Sequence, residues 1–91
     1  SIAGVMQSHL VTLESVVVPG GCGCAGKTLL ELDLIRRAGV QIGGIRRAGR
    51  VMAAPTGRDH LESGDELLVL GTHAQIRAFA RLLHPAGDEG V

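Results

Sequence analysis

A glycine-rich stretch over residues 19–28 separates two apolar segments and constrains the order of elements early in the chain. The segment before it, 9–18, alternates and then becomes continuously apolar with several β-branched residues, which predicts a strand. After it, Thr28 and Glu31 form the T-x-x-E signature of a capped helix start. We therefore predict a strand, a loop and then a helix of about 29–38.

The same stretch also matches a phosphate-binding loop. Gly21 to Thr28 fits G-x-x-x-x-G-K-[ST], in which Lys27 would contact the β/γ-phosphates and Thr28 would ligate Mg²⁺. Such loops belong to folds with an Asp at the end of an apolar strand, whereas Gly71 follows the apolar run 67–70. A fragment of a P-loop nucleotide hydrolase is therefore the alternative function, and helix capping explains Thr28 without magnesium.

Two helices are predicted, each with one buried face. In the first, Leu30, Leu34 and Ala38 recur at i, i+4 and i+8. The second begins with a capping box of Thr72 and Gln75 and ends near residue 84, before a proline. Its apolar stripe comprises Ile76, Phe79, Ala80 and Leu83.

Three further strands are predicted between the helices, over 40–47, 50–54 and 66–70. The adjacent glycines 43–44 indicate a bulge or the close approach of another backbone or a ligand. Ala48-Gly49 can turn the chain into a hairpin, and a polar loop over 56–64 follows. The predicted order is β-α-β-β-β-α, an α+β sandwich of a small sheet and two helices.

Size and charge narrow the classes of protein. The chain has 91 residues with Phe79 as its single aromatic, so its aliphatic core is small and oligomerisation is expected. A formal net charge of zero argues against general binding to nucleic acid. The charges are segregated, with net +5 over 27–58 and net −4 over 59–91, which suits a local anion site or complementary subunit contacts.

The cysteines and histidines give no catalytic or metal-binding pattern. Cys22 and Cys24 make neither a secreted disulfide framework nor a zinc site, and we predict reduced, exposed loop thiols in a cytosolic protein. The four histidines are scattered, with no Ser or Cys plus acid at a recognisable spacing, so we expect a protein that is not an enzyme. No apolar run reaches the roughly 18 residues of a membrane span. We expect a linker or frayed start over 1–8, one domain over 9–84 and a disordered tail over 85–91.

A basic hairpin is the candidate ligand site. Three arginines cluster about the turn, namely Arg46, Arg47 and Arg50. They follow glycines 43–44, which have no side chains. Bare backbone next to guanidinium groups can hold a phosphate-bearing ligand. In the alternative interpretation these arginines are solvated, or pair across a subunit interface with the acidic segment 59–66.

A series of short motifs carries a family resemblance. Residues 25–32 read AGKTLLEL, residues 39–49 read GVQIGGIRRAG, and a proline at 55 precedes LESGDELLVLG over 61–71. In this order and spacing, residues 11–83 resemble the C-terminal domain of regulators of potassium conductance, the TrkA-C family.

The resemblance implies a dimeric regulatory domain on the cytosolic side of a potassium channel, a potassium uptake system or a cation:proton antiporter. It implies that a Rossmann-type domain or a membrane domain precedes the domain or belongs to a partner chain. Some family members bind cyclic di-AMP at the dimer interface, and the matching positions here are Ile45, Arg46, Ala54 and Pro55. The family commonly has Asn where this chain has Ala54, which removes a hydrogen-bonding side chain.

Overall fold

The computed structural model describes residues 10–84, in which four strands and three helices follow the predicted order. The elements are β1 (Val11–Val17), α1 (Leu29–Leu32), α2 (Leu34–Ala38), β2 (Gln41–Arg47), β3 (Arg50–Ala53), β4 (Glu66–Thr72) and α3 (His73–Leu83). The α+β prediction is confirmed, with one predicted helix divided in two. The expectations for 1–8 and 85–91, and for His9, lie outside the described residues.

The strands form one sheet in the order β1-β4-β2-β3, and every pairing between these strands is antiparallel. β4 therefore lies between β1 and β2, although it follows them both in sequence. Its side chains alternate between buried and half-buried, and Leu67 and Val69 are fully enclosed. Helix α3 packs against β1 and β4 on the side that these residues face, and α2 packs against α3. The core lies between this face of the sheet and the helices.

The paired glycines of β2 form a bulge, as the sequence predicts. The register with β4 shifts between Ile42, opposite Val69, and Gly44, opposite Leu68. Ile45 comes three residues after Ile42, so strict alternation would put the two side chains on opposite faces of the sheet. The extra residue of the bulge instead places both side chains in the core.

The predicted helix over 29–38 is interrupted at Asp33, which adopts a left-handed conformation with φ 54°. Asp tolerates this conformation better than most residues, and its backbone N–H closes α1 by donating to the carbonyl of Leu29. The break turns Leu29 and Leu34 into the core, whereas Leu30 is 76% exposed. The prediction that Leu30 belongs to the buried face is therefore wrong, because a single continuous helix was assumed.

Both predicted capping boxes are present. The Thr28 hydroxyl accepts from the Glu31 N–H at 3.1 Å, and the Glu31 carboxylate accepts from the Thr28 N–H at 2.9 Å. Thr72 and Gln75 make the same reciprocal pair at the start of α3. The predicted stripe of α3 is confirmed: three of its residues are buried and Ala80 packs partly buried against them.

The prediction of reduced, exposed thiols in the glycine-rich loop is wrong. Cys22 and Cys24 are joined by a disulfide and are 8% and 5% exposed. They belong to the hydrophobic core together with Val18 and Leu61. The loop folds over this end of the core because hydrogen bonds tie it to segment 61–65.

The face of the sheet opposite α3 is open at its edges. Leu13 and Val17 of β1 are each 60% exposed and Val51 of β3 is 54% exposed, while Leu68 and Leu70 of β4 are half-buried. We call this surface the open face. Within residues 10–84, no helix combines the length and apolar character needed to cross a membrane.

Candidate functional site

Arg46 lies on the open face, in a row that crosses all four strands of the sheet. The strand pairing aligns Val17, Glu66, Arg46 and Val51 side by side. Nη1 of Arg46 lies 3.0 Å from Oε1 of Glu66, and the Arg46 side chain remains 50% exposed. Ser15 donates to the other Glu66 oxygen at 2.6 Å. Arg46 is thus held in place by one carboxylate and still accessible to a ligand.

Gly44 lies on the open face two residues before Arg46, and it is buried. It lies opposite Leu68 of β4 and Ala53 of β3. A Cβ at Gly44 would come within 3.3 Å of a Leu68 methyl and 3.4 Å of a Val51 methyl. The Leu68 and Val51 side chains therefore cover Gly44, and the accessible bare backbone that the sequence predicts beside the arginines is not present at this residue.

Ile45, the neighbour of Arg46, points the other way. Its side chain is 1% exposed and lies in the core, opposite Leu67 of β4 and Met52 of β3. The Ile45 side chain packs in the core, so only its backbone could contact a ligand on the open face.

Ala54 directly follows β3 and has a left-handed conformation with φ 48°. Its N–H donates to the carbonyl of Gly43 in the bulge at 3.0 Å, which anchors the end of the hairpin. An L-residue with a Cβ pays roughly 1–2 kcal/mol for this conformation, and Asn tolerates it better than Ala. Ala54 thus lies beside Gly43 at the far end of the hairpin, whereas Arg46 pairs with Val51 nearer the turn.

Pro55 leads from the hairpin towards the helices and lines a mostly apolar cavity of about 440 Å³. Leu29, Leu30 and Ile35 of the two short helices also line it, as does Val40. Of the four candidate residues, Arg46 therefore lies on the open face, Ile45 in the core, Ala54 at the end of the hairpin and Pro55 beside the cavity.

A second arginine of the hairpin forms an ion pair with a buried carboxylate, Asp65, which the sequence did not predict within one chain. Arg47 donates from Nε and Nη2 to the two carboxylate oxygens of Asp65, at 2.8 and 2.7 Å. Arg47 also lies 2.8 Å from the Glu62 carboxylate and donates to the His60 carbonyl at 3.0 Å. The sequence left open a pairing of these arginines with segment 59–66 across a subunit interface, whereas the structure makes these pairs within one chain.

Asp65 is 1% exposed and is ionised by its partners. Burial opposes its charge, but the hydrogen bonds from Arg47 and from the Glu62 N–H, which lies 2.8 Å from Oδ2, outweigh burial. The pKa of Asp65 is therefore lower than its ordinary value. The sequence signal for this pair is Gly64-Asp65 within the motif LESGDELLVLG.

The phosphate-loop interpretation finds no support in the geometry. The Thr28 hydroxyl is engaged with Glu31, and the following helix has only four residues. The strand before the loop belongs to an antiparallel sheet, and Cys22 and Cys24 are bonded inside the loop. Among residues 10–84, no group of three His, Cys, Asp or Glu side chains is arranged to hold a metal ion.

Comparison with known proteins identifies the family. The TrkA-C domain matches residues 13–84, and the chain belongs to this family. The Ktr system potassium uptake protein C of Bacillus subtilis (strain 168) is 36% identical over 61 residues, which are 66% of this chain and 28% of that protein. This chain therefore spans little more than a quarter of that relative.

Solved structures share the fold. The RCK_C domain dimer of S. agalactiae BusR in complex with c-di-AMP matches with a TM-score of 0.74 and 19% identity, over 80% of this chain and 90% of that chain. The RCK C domain of the potassium transport protein KtrA, in complex with cyclic diadenosine monophosphate, matches with a TM-score of 0.70 and 21% identity, over 88% of this chain and 89% of that chain.

Proposed function

We propose that this chain is a non-enzymatic regulatory domain of a potassium or cation transport system, acting on the cytoplasmic side of the membrane. The observation that carries the proposal is the TrkA-C match over residues 13–84, together with a relative that is a potassium uptake protein. Since the chain spans 28% of that relative, the domain would act on a membrane transport domain or a Rossmann-type domain, in the same or a partner chain.

We propose that two copies associate through the open face. Leu13, Val17 and Val51 leave apolar surface in water there, and burying such surface is the main driving force for association. The small aliphatic core gives the domain a further reason to gain stability from a partner. The matched structure of BusR is an RCK_C domain dimer.

The proposed ligand is a nucleotide carrying phosphate, with cyclic di-AMP as the first candidate. Arg46 would donate to a phosphate oxygen, Ala54 and Pro55 would contact the ligand from the end of the hairpin, and Ile45 would contribute its backbone. The support is the half-exposed guanidinium of Arg46, and the cyclic di-AMP bound by the matched structures of BusR and KtrA.

Binding would work through exchange of ion-pair partners. A phosphate that reaches Arg46 competes with the Glu66 carboxylate, which lies 3.0 Å away. Since Arg46 lies on the proposed interface, a ligand there would favour one arrangement of the two copies over another. The attached transport domain would then respond to that shift in population.

Calorimetry with cyclic di-AMP on wild type and variants tests the proposal. Arg46→Ala is expected to weaken binding about tenfold or more, because a hydrogen bond to a charged group contributes about 1.5–3 kcal/mol. Glu66→Gln is expected to strengthen binding, since it removes the competing charge. Arg37→Ala is the matched control, because Arg37 is an exposed arginine of the last turn of α2, outside the sheet.

If wild type binds no cyclic di-AMP but sediments as a dimer, the domain only holds two copies together, and the proposal that it senses a ligand is wrong. Tight binding of Mg·ATP that Lys27→Ala abolishes would instead restore the nucleotide hydrolase alternative.

A further inference from the structure

The Cys22–Cys24 disulfide closes a very short loop, because only one residue separates the two cysteines. In the chain-entropy account, a disulfide stabilises a fold by restricting the unfolded chain, and this effect grows with the length of the closed loop. This bond therefore contributes little to the stability of the fold by restricting the unfolded chain. Its effect on the molecule is local, on the loop that contains it.

The disulfide lies under a thin cover of glycine backbone. Cys22 and Cys24 are 8% and 5% exposed, more than their core neighbours Val18 at 1% and Leu61 at 0%. The glycines of this loop precede the cysteines or lie between them, namely Gly20, Gly21 and Gly23. A Cβ at any of these positions would have no neighbouring atom within 4 Å. A small reagent could therefore reach the sulfur atoms through a modest opening of this loop.

Backbone hydrogen bonds clamp the cysteine loop to segment 61–65 on both sides of the disulfide. Before it, Val18 donates to the Asp65 carbonyl at 2.8 Å and accepts from Gly64 at 2.9 Å. After it, Gly26 donates to the Leu61 carbonyl at 2.7 Å. The Lys27 N–H donates to the Cys24 carbonyl at 3.1 Å within the loop. A change in the path of the chain between the cysteines thus acts directly on segment 61–65.

The clamped segment holds the basic hairpin. Asp65 and Glu62 bind Arg47 of β2, the residue next to Arg46. A continuous set of hydrogen bonds and ion pairs therefore connects the disulfide, segment 61–65 and the hairpin.

We propose that Cys22 and Cys24 form a thiol–disulfide exchange site that sets the order of segment 61–65. The thiolate of a low-molecular-weight thiol attacks one sulfur of the disulfide, forms a mixed disulfide and releases the other cysteine as a thiolate. A second reductant thiolate then attacks the reductant's sulfur in the mixed disulfide and releases the first cysteine. Two electrons and two protons pass from two thiols to the protein, and the reductant leaves as its own disulfide.

Reduction loosens the clamp because of packing. Two sulfur atoms without a bond need more room than two bonded ones, and both cysteines lie in the close-packed core. The cysteine loop must move outward, and the glycines allow it to do so. The hydrogen bonds from Gly26, Val18 and Gly64 then open more often. Cytosolic disulfides that serve as redox sensors have this transient character.

Two measurements on the 91-residue chain test the proposal. The first equilibrates the protein in glutathione buffers of increasing reduced-to-oxidised ratio, blocks free thiols with iodoacetamide and weighs the intact protein. A cooperative change from no adduct to adducts on both cysteines is expected. The second compares amide hydrogen exchange of the oxidised and the reduced protein, with faster exchange expected at Gly26, Leu61 and Gly64 after reduction.

Exchange at the β1–β4 pairing is the internal control, and it should be unchanged if the reduced protein stays folded. The Cys22→Ser/Cys24→Ser variant should exchange like the reduced wild type. If that variant does not fold, the comparison of the two redox states of wild type still decides. Labelling of both cysteines at every glutathione ratio, a disulfide that resists reduction in the native protein, or identical exchange in the two states would each overturn the proposal. None of these readouts depends on a nucleotide, so they succeed or fail separately from the proposed function.

Discussion

Asp65 carries a charge although it is almost completely buried, so its carboxylate depends on hydrogen-bonding partners. Two hydrogen bonds from Arg47 and one from the Glu62 N–H satisfy its carboxylate. Such an arrangement is sensitive to the loss of either partner, because a buried group left unsatisfied is costly. At the scale of single residues, this pair connects the loop before β4 to the hairpin.

The substitution Asp65→Asn tests this dependence through the pH profile of stability. The pKa of Asp65 is lower in the folded chain than in the unfolded chain, so the folded state binds fewer protons. Its stabilisation is complete above the unfolded value of about 3.9 and is lost as the pH falls through the lower folded value. Urea denaturation at neutral pH should show a loss of about 2 kcal/mol in the variant, since hydrogen bonds to charged groups contribute about 1.5–3 kcal/mol.

The difference between wild type and Asp65→Asn should shrink as the pH falls through the lowered pKa of Asp65, because the wild-type carboxyl becomes protonated there as well. Glu62→Gln is the control, because that carboxylate is about half exposed and binds the same arginine. A variant whose deficit stays constant from neutral to acid pH would contradict this account.

Among the elements, the β2–β3 hairpin carries the candidate site and contains two alanines with positive φ. Ala48, with φ 51°, occupies the turn together with Gly49, with φ 77°. Ala54, with φ 48°, directly follows the second strand and precedes Pro55. A turn with positive φ at both central residues matches the twist of the paired strands. Ala54 has no such steric advantage, and its hydrogen bond to Gly43 holds it there.

Ala54→Asn is expected to stabilise the hairpin by about 0.5 kcal/mol, because Asn adopts the left-handed conformation at a lower cost than Ala. The midpoint of urea denaturation measures this change. Ala53→Asn is the matched control: Ala53 lies in the extended part of β3, where Asn is disfavoured, so no gain is expected there. Equal effects at the two positions would argue against the strain at Ala54.

At the scale of the whole molecule, the sheet is covered on one face and open on the other. The helices and the core occupy one side, and exposed apolar residues of β1 and β3 occupy the other. Arg46 and Glu66 lie on this second side, so the proposed interface includes the arginine of the proposed ligand site. This shared location is what would let a ligand influence the association of two copies.

Leu13→Asp is expected to convert a dimer into a monomer, since it places a charge in the proposed apolar contact. Leu13 is 60% exposed in the single chain, so the fold itself should tolerate the change. Sedimentation velocity at about tens of micromolar measures the oligomeric state, and circular dichroism checks the fold. The control is Leu82→Asp, because Leu82 is 37% exposed on α3, which packs against the opposite face of the sheet. Dimers of undiminished stability in Leu13→Asp would show that the interface lies elsewhere.

The sequence by itself determined the local features of this fold. The two capping boxes, the stripe of α3, the turn at residues 48–49 and the bulge at residues 43–44 were all predicted correctly. Each depends on residues within one or two turns of a helix or a hairpin, so spacing and residue type are sufficient. The family motifs, which also lie in short segments, were likewise confirmed by the TrkA-C match.

The tertiary structure alone decided which distant groups meet. It buried Cys22 and Cys24 as a bonded pair, brought Asp65 to Arg47 and divided the first helix at Asp33 so that Leu29 faces the core. It also separated the candidate residues, with Ile45 in the core and Arg46 on the open face, while their roles as ligand contacts stay a prediction. These outcomes depend on the register of strands far apart in sequence, and a shift of one residue moves each side chain to the opposite face of a sheet.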